Sequence, residues 1–341
     1  MTARPASTDE ARQPEPILDV RGLVTEFRLR DSTVVANDDI WLRIPKGTTL
    51  GIVGESGSGK SVLCRSILRL IPSPPAFITA GEIWFEGRDL LSLDEAEMAR
   101  VRGTRIRMVF QNPMTSLNPV WPIGDQITEG LRVHYGVSGR EAREQGIELL
   151  HRVGIASPKQ RYRDYPFQWS GGMLQRAVIA MAMAGEPALL LADEPTTALD
   201  VTIQDQILAL LLELQDRTGM SLVLVSHDLA VVAETCDSVA VMYAGRIMEV
   251  APTKKLFEEP LHPYTLGLLS SIPSFAGAES RLVPIPGQPP NLADLGTGCP
   301  FAERCRFATP DCATTAVALR PVAEGRLSAC LYPERIGGLD Q

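Results

Sequence analysis

The octapeptide Gly54-Glu55-Ser56-Gly57-Ser58-Gly59-Lys60-Ser61 is the most informative stretch of this chain. It matches the phosphate-binding pattern G-x-x-x-x-G-K-[ST] at every fixed position. Thr48 to Val53 before it reads as a buried strand, and Val62 to Leu70 after it has helical periodicity. The glycines let backbone N–H groups turn inward around a phosphate, and the helix N-terminus adds its positive dipole end. A chance Gly/Ser-rich loop is the alternative, and the flanking strand and helix disfavour it.

Two side chains of this loop are predicted to bind the nucleotide or its metal ion. Lys60 would reach the β- and γ-phosphates of a nucleotide, and the Ser61 hydroxyl would bind Mg²⁺. The phosphates would lie against the backbone of Gly54 and of Ser56 to Gly59. We therefore predict a nucleotide site that uses magnesium.

A second predicted strand, Leu189 to Ala192, ends in the carboxylates Asp193 and Glu194. Burying unpaired charge is costly, so two acids after a buried strand need a reason. Magnesium supplies one: Asp193 would hold the ion, through its water, and Glu194 would orient and polarise the attacking water. A simple turn after the strand is the alternative.

Polar side chains also follow two other predicted strands. Gln111 ends the strand from Ile106 to Phe110, and His227 follows the strand from Ser221 to Val225. Gln111 could reach Mg²⁺ or the attacking water through its amide, and His227 could contact a γ-phosphate. Alone, neither is informative, since a single histidine at a strand end usually has a structural role.

Two weaker candidates complete the predicted site. Ser170-Gly171-Gly172 opens a predicted helix, and a serine cap with two exposed amides can bind an anion; an ordinary helix cap is the alternative. Phe27, on the first predicted strand, could stack on an adenine ring; a half-buried strand aromatic explains it equally well.

Composition describes an ordinary globular chain. Its 341 residues are 45% hydrophobic, and no apolar run approaches the ~20 residues that cross a bilayer. Residues 1–16 are polar and lack an apolar signal core, which predicts a disordered lead-in and a cytoplasmic location. The net charge of −8 disfavours nucleic-acid binding.

The order of predicted elements indicates an α/β fold. A hairpin of strands near Ile17 to Leu29 and Ile40 to Ile44 precedes the phosphate loop, and a strand–helix–strand unit with a parallel pair runs from Ala188 to Val225. We predict a mixed-sheet core domain at 17–252, a helical subdomain at about 112–187, and a proline-rich extension at 253–341.

Six cysteines divide into two groups. Cys64 and Cys236 have apolar neighbours and are predicted to be inert core residues. The other four crowd into the extension with the spacing C-x5-C-x6-C-x17-C, and they are Cys299, Cys305, Cys312 and Cys330. In a reducing cytosol, such a group favours a metal or iron–sulfur site over disulfides.

Together, these motifs resemble the nucleotide-binding subunit of an ABC transporter over roughly Ile17 to Val250. The match comprises the phosphate loop, Gln111, Trp169-Ser170-Gly171-Gly172-Met173, Asp193-Glu194, Ala198-Leu199-Asp200 and His227. The fold that the resemblance implies is a P-loop NTPase domain with a mixed sheet and a helical subdomain. It also implies a head-to-tail dimer that holds two ATP molecules at its interface.

The resemblance distributes roles between the two subunits. One subunit supplies Lys60, Ser61, Gln111, Asp193, Glu194 and His227, with Phe27 against the adenine. The other supplies Ser170, Gly171 and Gly172, and Asp200 lies at the dimer seam. Trp169 and Met173 replace the usual leucine and glutamine of this signature, and Met173 removes one polar contact.

The tail narrows the family. Four segments of the tail resemble the C-terminal extension of dipeptide and oligopeptide importer ATPases, which related importers of nickel and glutathione share. They are His262-Pro263-Tyr264-Thr265, 284–290, Gly298-Cys299-Pro300-Phe301 and Arg304-Cys305. This resemblance implies peptide import through a separate permease, whose docking groove would be lined by 112–126. The implied partners are a second ATPase subunit (a copy or a paralogue), two transmembrane permease subunits and an extracytoplasmic peptide-binding protein, with the chain peripheral on the cytoplasmic face of the membrane.

Two alternative functions are compatible with a nucleotide site of this kind. A soluble ATPase acting on nucleic acid or ribosomes is disfavoured by the single cassette, the missing heptads and the acidic charge; a regulator without turnover is disfavoured by the intact Glu194. For the four cysteines, the resemblance implies a [4Fe–4S] cluster, with zinc as runner-up and unligated thiols as the third possibility.

Overall fold

The computed structural model describes residues 15–197, 199–271 and 284–336. Most of the predicted lead-in at 1–16 lies outside these ranges. Ala198, two residues before the predicted seam residue Asp200, and the end of the extension at 337–341 also lie outside them.

The strands have the following bounds. In chain order they are β1 (Pro16–Arg28), β2 (Thr33–Pro45), β3 (Thr49–Val53), β4 (Ala76–Phe85), β5 (Arg88–Asp89), β6 (Ile106–Val109), β7 (Leu189–Asp193), β8 (Ser221–Val225), β9 (Ser238–Tyr243), β10 (Arg246–Pro252), β11 (Arg320–Ala323) and β12 (Arg326–Ser328).

The α-helices alternate with these strands and also form a group of their own. They are α1 (Lys60–Ile67), α2 (Glu95–Thr104), α3 (Pro113–Ser116), α4 (Ile123–Tyr135), α5 (Gly139–Arg152), α6 (Pro158–Arg161), α7 (Gly171–Met183), α8 (Val201–Thr218), α9 (Leu229–Thr235), α10 (Thr253–Glu258) and α11 (Pro263–Ser270). Helices α3 to α7 stand between β6 and β7, where the sequence predicts the helical subdomain.

Two sheets organise the molecule. The larger has the order β11-β12-β10-β9-β3-β8-β7-β6, parallel from β9 to β6 and antiparallel at the β10 side. The smaller is antiparallel, with the order β2-β1-β4-β5. The predicted parallel pair β7–β8 is therefore confirmed. The predicted hairpin β1–β2, however, belongs to the separate smaller sheet and does not extend the sheet that contains β3.

Helix α1 lies in the core between the two sheets. Its Leu63 and Ile67 join one apolar cluster with residues of β1 and β2 and with Leu189 and Leu191 of β7. The alternate β7 side chains, such as Leu190, join a second cluster on the other face of the large sheet. This alternation follows from the two-residue period of a strand. Each fully buried leucine or isoleucine contributes roughly 1.5–3 kcal/mol.

The phosphate-loop helix is shifted relative to its prediction. It begins at Lys60, where Gly59 at φ 100° makes the turn out of the loop. It ends at Ile67, because Arg69 adopts φ 53° and leaves the helical path before Leu70. The apolar periodicity correctly predicts a helix here. Its first and last residues are determined by the backbone conformations of Gly59 and Arg69.

The C-terminal extension completes the large sheet. Strand β12 pairs antiparallel with β10 through Glu249–Ser328 and Val250–Leu327, and β11 pairs with β12. Arg326 of β12 lies 3.5 Å from the carboxylate of Glu249, and both side chains are buried. The extension is thus hydrogen-bonded to the sheet that carries the phosphate loop.

Candidate functional site

The predicted site residues converge because four parallel strands end at the same edge of the large sheet. The phosphate loop follows β3, Asp193 ends β7, Gln111 follows β6 and His227 follows β8. In open α/β sheets, ligands bind at the carboxyl ends of the strands. The topology therefore gathers these side chains, although up to 173 residues separate Gly54 from His227 in sequence.

Two glycines of the phosphate loop have no room for a side chain. A Cβ on Gly54, at φ 149°, would lie 2.0 Å from the Met242 carbonyl oxygen. A Cβ on Gly59, at φ 100°, would lie 2.4 Å from the Ala36 carbonyl oxygen. Both positions combine a positive φ with a backbone contact, so the pattern needs glycine there for the fold of the loop itself.

Lys60 lies across the loop that precedes it. Its ammonium donates hydrogen bonds to the carbonyl oxygens of Gly54 (2.8 Å) and Glu55 (3.0 Å), and the side chain is almost fully buried. Burial lowers the pKa of Lys60, while the nearby carboxylates of Glu194, Asp193 and Glu55 act in the opposite direction. A cation held inside a glycine loop is suited to an anionic ligand such as a phosphate.

Ser61 and Asp193 form the pair predicted to hold magnesium. The Ser61 hydroxyl donates to Oδ1 of Asp193 at 2.8 Å. Asp193 is completely buried, and its Oδ2 has no hydrogen-bond partner among the described residues. Burial raises the pKa of this carboxyl group. An unpartnered carboxylate oxygen beside a serine hydroxyl fits a hard cation such as Mg²⁺, which prefers oxygen ligands.

Glu194 is the centre of a polar cluster. Its Oε2 accepts hydrogen bonds from Gln111 Nε2 (2.9 Å) and Thr197 Oγ1 (2.8 Å), and His227 Nδ1 lies 3.6 Å away. The structure therefore brings Gln111, Glu194 and His227 to one point, as their strand-end positions predict. Thr197 was missed by the sequence reasoning, although a hydroxyl three residues after an acid that starts a turn is a usable signal.

The Ser170-Gly171-Gly172 segment lies on the surface. Ser170 caps α7 through its hydroxyl, which accepts from the Met173 N–H at 3.4 Å, and Ser170 and Gly171 are exposed. Gly171 and Gly172 approach Leu199 and Ile203, so this tip adjoins the turn at the start of α8.

Residues on either side of this segment hold it in place. Asp200 caps α8 by accepting from the Ile203 N–H at 3.1 Å. Trp169 is buried and donates its indole N–H to Asp164 at 3.0 Å, so it anchors the segment in the core. We call the surface formed by Ser170 to Gly172 and Asp200 the signature tip.

Phe27 lies in the smaller sheet. It pairs with Val34 of β2 and Ala76 of β4 and is partly buried. Two residues before it, the hydroxyl of Thr25 contacts that of Ser66 in α1 at 3.0 Å, which links this strand to the phosphate-loop helix. Its adenine-stacking role stays a prediction.

The extension reaches the phosphate loop, which no sequence signal predicted. Arg304 forms two hydrogen bonds with the Glu55 carboxylate, at 2.7 and 3.0 Å. The Tyr264 hydroxyl accepts a hydrogen bond from the Glu55 N–H at 2.8 Å. These partners are 249 and 209 residues away in sequence, so no local pattern could connect them.

The four cysteines of the extension line one small cavity, together with His262, Phe301 and other residues. Burial, with repulsion from the other cysteines, raises the pKa of Cys299 and of Cys330 to about 11 each. Within the described ranges, no group of three or more His, Cys, Asp or Glu side chains has an arrangement that could hold a metal ion. The remaining two cysteines are buried in the core as predicted, and burial raises the pKa of Cys236 to about 12.

Large apolar side chains are exposed in two segments, one following Gln111 in sequence and one preceding Ser170. Met114, Val120 and Trp121 are 61%, 72% and 48% exposed, and Phe167 is 74% exposed. The two segments adjoin, because the Ile123 N–H donates to the Asp164 carbonyl at 2.9 Å. Among the helices described, none has the length and apolar character needed to span a membrane.

Comparison with known protein families agrees with this geometry. Residues 37–197 match the ABC transporter family, and residues 248–312 match the C-terminal region of oligopeptide/dipeptide transporters. A Brucella ovis protein described as a peptide import ATP-binding protein is 52% identical over 94% of this chain and 98% of its own length. The oligopeptide transport ATP-binding protein OppD of Bacillus subtilis is 50% identical over 86% of this chain and 82% of its own.

Solved structures show the same fold. The ATP-binding cassette MJ0796, in a dimeric post-hydrolysis state bound to ADP and Pi, has a TM-score of 0.63 and 28% identity over 69% of this chain and 98% of its own. The cbiO1 subunit of the cbiONQ transporter from Clostridium perfringens has a TM-score of 0.61 and 28% identity over 72% of this chain and 92% of its own.

The fold and the strand-end residues define an ATP-hydrolysing P-loop protein of the ABC type. This chain belongs to the ABC transporter ATP-binding proteins, in the branch that carries the oligopeptide/dipeptide transporter C-terminal region.

Proposed function

We propose that this chain is the ATP-hydrolysing subunit that powers uptake of dipeptides and oligopeptides through a separate membrane permease. The observation that carries the proposal is the matched C-terminal region, together with relatives named for peptide import at about half identity over nearly the whole chain. No such observation favours action on nucleic acid or ribosomes, and the chain is acidic.

The site residues divide the work of hydrolysis. The phosphate loop and Lys60 bind the phosphates, and Ser61, Asp193 and Gln111 are the oxygen donors that would hold Mg²⁺. When bound, the ion neutralises charge on the phosphates. Glu194, held by Gln111 and Thr197, orients and polarises the attacking water.

The second half of each site comes from another subunit in this proposal. The exposed signature tip would bind the γ-phosphate of ATP that lies in the phosphate loop of a neighbouring ATPase subunit, through helix-capping N–H groups. Phe27 would stack on the adenine, and Asp200 would lie at the seam. ATP binding closes this dimer, and hydrolysis with product release reopens it.

The exposed apolar group around Trp121 and Phe167 is the proposed contact with the permease. Contiguous apolar side chains on a protein surface mark interaction sites. Because one of its segments follows Gln111 in sequence, it would couple closure of the ATP site to movement of two transmembrane subunits, which receive peptide from an extracytoplasmic binding protein. The chain would then be peripheral on the cytoplasmic face of the membrane.

Transport by reconstituted vesicles tests this function. The permease complex containing the chain should take up a labelled oligopeptide when MgATP is supplied on the side of the ATPase, and the same complex with Glu194→Gln should not. Uptake that is the same for both proteins, or a chain that never co-purifies with membrane subunits, would contradict the proposal.

For the cysteine cavity, we propose a [4Fe–4S] cluster, with zinc as the alternative. Four thiols around one cavity are the right donor number for either group, and binding would have to draw them closer together than they lie in the described structure, where they form no metal-holding arrangement. His262 also lines this cavity; its Nδ1 accepts from the Tyr264 N–H, which leaves Nε2 as the protonated nitrogen, and Nε2 has no partner among the described residues. A buried, unpartnered N–H donor on a residue that lines the same cavity as four thiols is available for a hydrogen bond with a thiolate sulfur.

Anaerobic purification distinguishes these possibilities. A brown protein whose visible absorbance is lost in Cys299→Ser supports the cluster. A colourless protein that contains one zinc per chain supports zinc, and a protein with neither metal contradicts both. Cys64→Ser is the matched control, because Cys64 is a buried cysteine in α1, outside the cavity.

A further inference from the structure

Glu55 places a carboxylate inside a loop that must bind phosphates. It is the second residue of the loop, directly after Gly54, and its carbonyl oxygen accepts hydrogen bonds from Lys60 Nζ (3.0 Å) and from the Ser58 N–H (3.2 Å). Like charges close together repel, so a free carboxylate here would oppose a triphosphate. A cationic partner for Glu55 would remove this repulsion.

Arg304 of the C-terminal extension is such a partner for Glu55. Both terminal nitrogens of Arg304 contact the Glu55 carboxylate in a two-pronged hydrogen-bonded ion pair, and Arg304 is only 7% exposed. The guanidinium is held from its other sides by the Pro286 carbonyl oxygen (2.8 Å) and the Tyr243 hydroxyl (3.1 Å). A planar guanidinium fixed in this way both neutralises the carboxylate and sets its direction.

Tyr264 fixes the same residue through its backbone. Its hydroxyl accepts from the Glu55 N–H at 2.8 Å, so this amide is not directed at a phosphate. The ring is fully buried and packs on Tyr243 and Phe301, with centroids 4.5 and 5.3 Å away. Glu55 is thereby held at its N–H, its carbonyl and its carboxylate.

We propose that Arg304 and Tyr264 are positioning residues for ATP binding: the C-terminal extension neutralises Glu55 and fixes the phosphate loop in its binding conformation. The extension then does more than support the fold, because its two contacts with Glu55 set the nucleotide affinity of the chain. The proposal rests on the ATP site described above and is independent of the transported substrate.

The test is the affinity of the full-length chain for MgATP, measured by titration calorimetry. Arg304→Gln should weaken binding roughly tenfold, the scale of a lost charge-assisted contact, because the loop then carries the unneutralised charge of Glu55. Removing the charge should repair the loss: Glu55→Gln in the Arg304→Gln background should return the affinity to within about threefold of wild type. Arg304→Lys, which keeps the charge but loses the fork, should lie between.

Arg326→Gln is the matched control. Arg326 is as buried as Arg304 and also ties the extension to the ATPase domain, through Glu249, while its second ion pair, with Glu259, lies inside the extension; neither partner belongs to the phosphate loop. It should lower the melting temperature while leaving MgATP affinity unchanged. Melting curves of all variants separate loss of folding from loss of affinity.

Three results would overturn the proposal: unchanged affinity in Arg304→Gln, a double variant no better than Arg304→Gln alone, or an equal loss in Arg326→Gln. A wild-type chain that binds no MgATP would instead contradict the ATP site itself. The two failures are therefore distinguishable.

Discussion

The phosphate loop and the signature tip are built in opposite ways. Lys60 is almost fully buried, and the loop around it is held by contacts from distant parts of the chain, including Arg304. The signature tip is held by local caps at Ser170 and Asp200 and faces solvent. In the proposed dimer, the buried cradle, with its unpartnered carboxylate oxygen at Asp193, and the exposed tip would belong to two different ATP sites. Each of those sites would need a second subunit to complete it.

The largest expected change in ATP hydrolysis comes from a substitution beside the buried phosphate loop. Glu194→Gln should reduce the ATP hydrolysis rate by roughly 10²–10⁴-fold, because the side chain that polarises water is lost while the phosphate loop is intact. ATP affinity of the isolated chain should stay the same. Steady-state hydrolysis and equilibrium binding measure the two quantities separately.

Glu186→Gln is the control for this substitution. Glu186 also adopts a positive φ, 52° against 47° for Glu194, but its carboxylate lies on the surface near Arg152. The Glu186→Gln variant should hydrolyse ATP at the wild-type rate. If Glu194→Gln did so too, the catalytic assignment would be wrong.

A smaller effect is expected at the exposed half. Ser170→Ala removes a helix cap worth about 1 kcal/mol, and with it a contact to the neighbour's ATP. Hydrolysis by the assembled transporter should fall about tenfold, while the isolated chain binds ATP as before. Ser138→Ala removes the equivalent cap of α5, where Ser138 accepts from the Glu141 N–H, and should leave hydrolysis unchanged. An equal loss of ATP hydrolysis in the two variants would show that Ser170 acts only as a helix cap.

The smallest effect concerns Met173, which stands where related signatures have glutamine. Met173→Gln adds a polar group at the tip, and one hydrogen bond contributes about 0.5–1.5 kcal/mol, so hydrolysis should rise about threefold. Met181→Gln, two turns further along α7, should give no increase. A slower Met173→Gln enzyme would mean that the core contacts of Met173 matter more.

Much of the site could be predicted from sequence because strand ends are local signals. Gln111, Asp193 and His227 each follow an apolar strand, and parallel strands bring their carboxyl ends to one edge. Ser170 and Asp200 are caps, which depend on the next few residues only. The loop glycines are likewise dictated by backbone turns within the motif.

The parts that could not be predicted depend on distant contacts. The sequence predicts the hairpin β1–β2, but no local pattern indicates its pairing with β4, which places it in a separate sheet. The contacts of Glu55 with Tyr264 and Arg304 cross more than 200 residues, and nothing in the local sequence of either partner marks them. The four cysteines of the extension are close in sequence and line one cavity, whereas their spacing does not decide what that cavity holds.

Sedimentation of the chain with MgATP tests the division between the two halves most directly. In Glu194→Gln, which retains ATP, the sedimenting mass should double on adding MgATP, with the chain itself or with its partner ATPase subunit. Adding Ser170→Arg should abolish the doubling while the isolated chain still binds ATP. Doubling that survives Ser170→Arg, or loss of ATP binding by that isolated chain, would contradict the account.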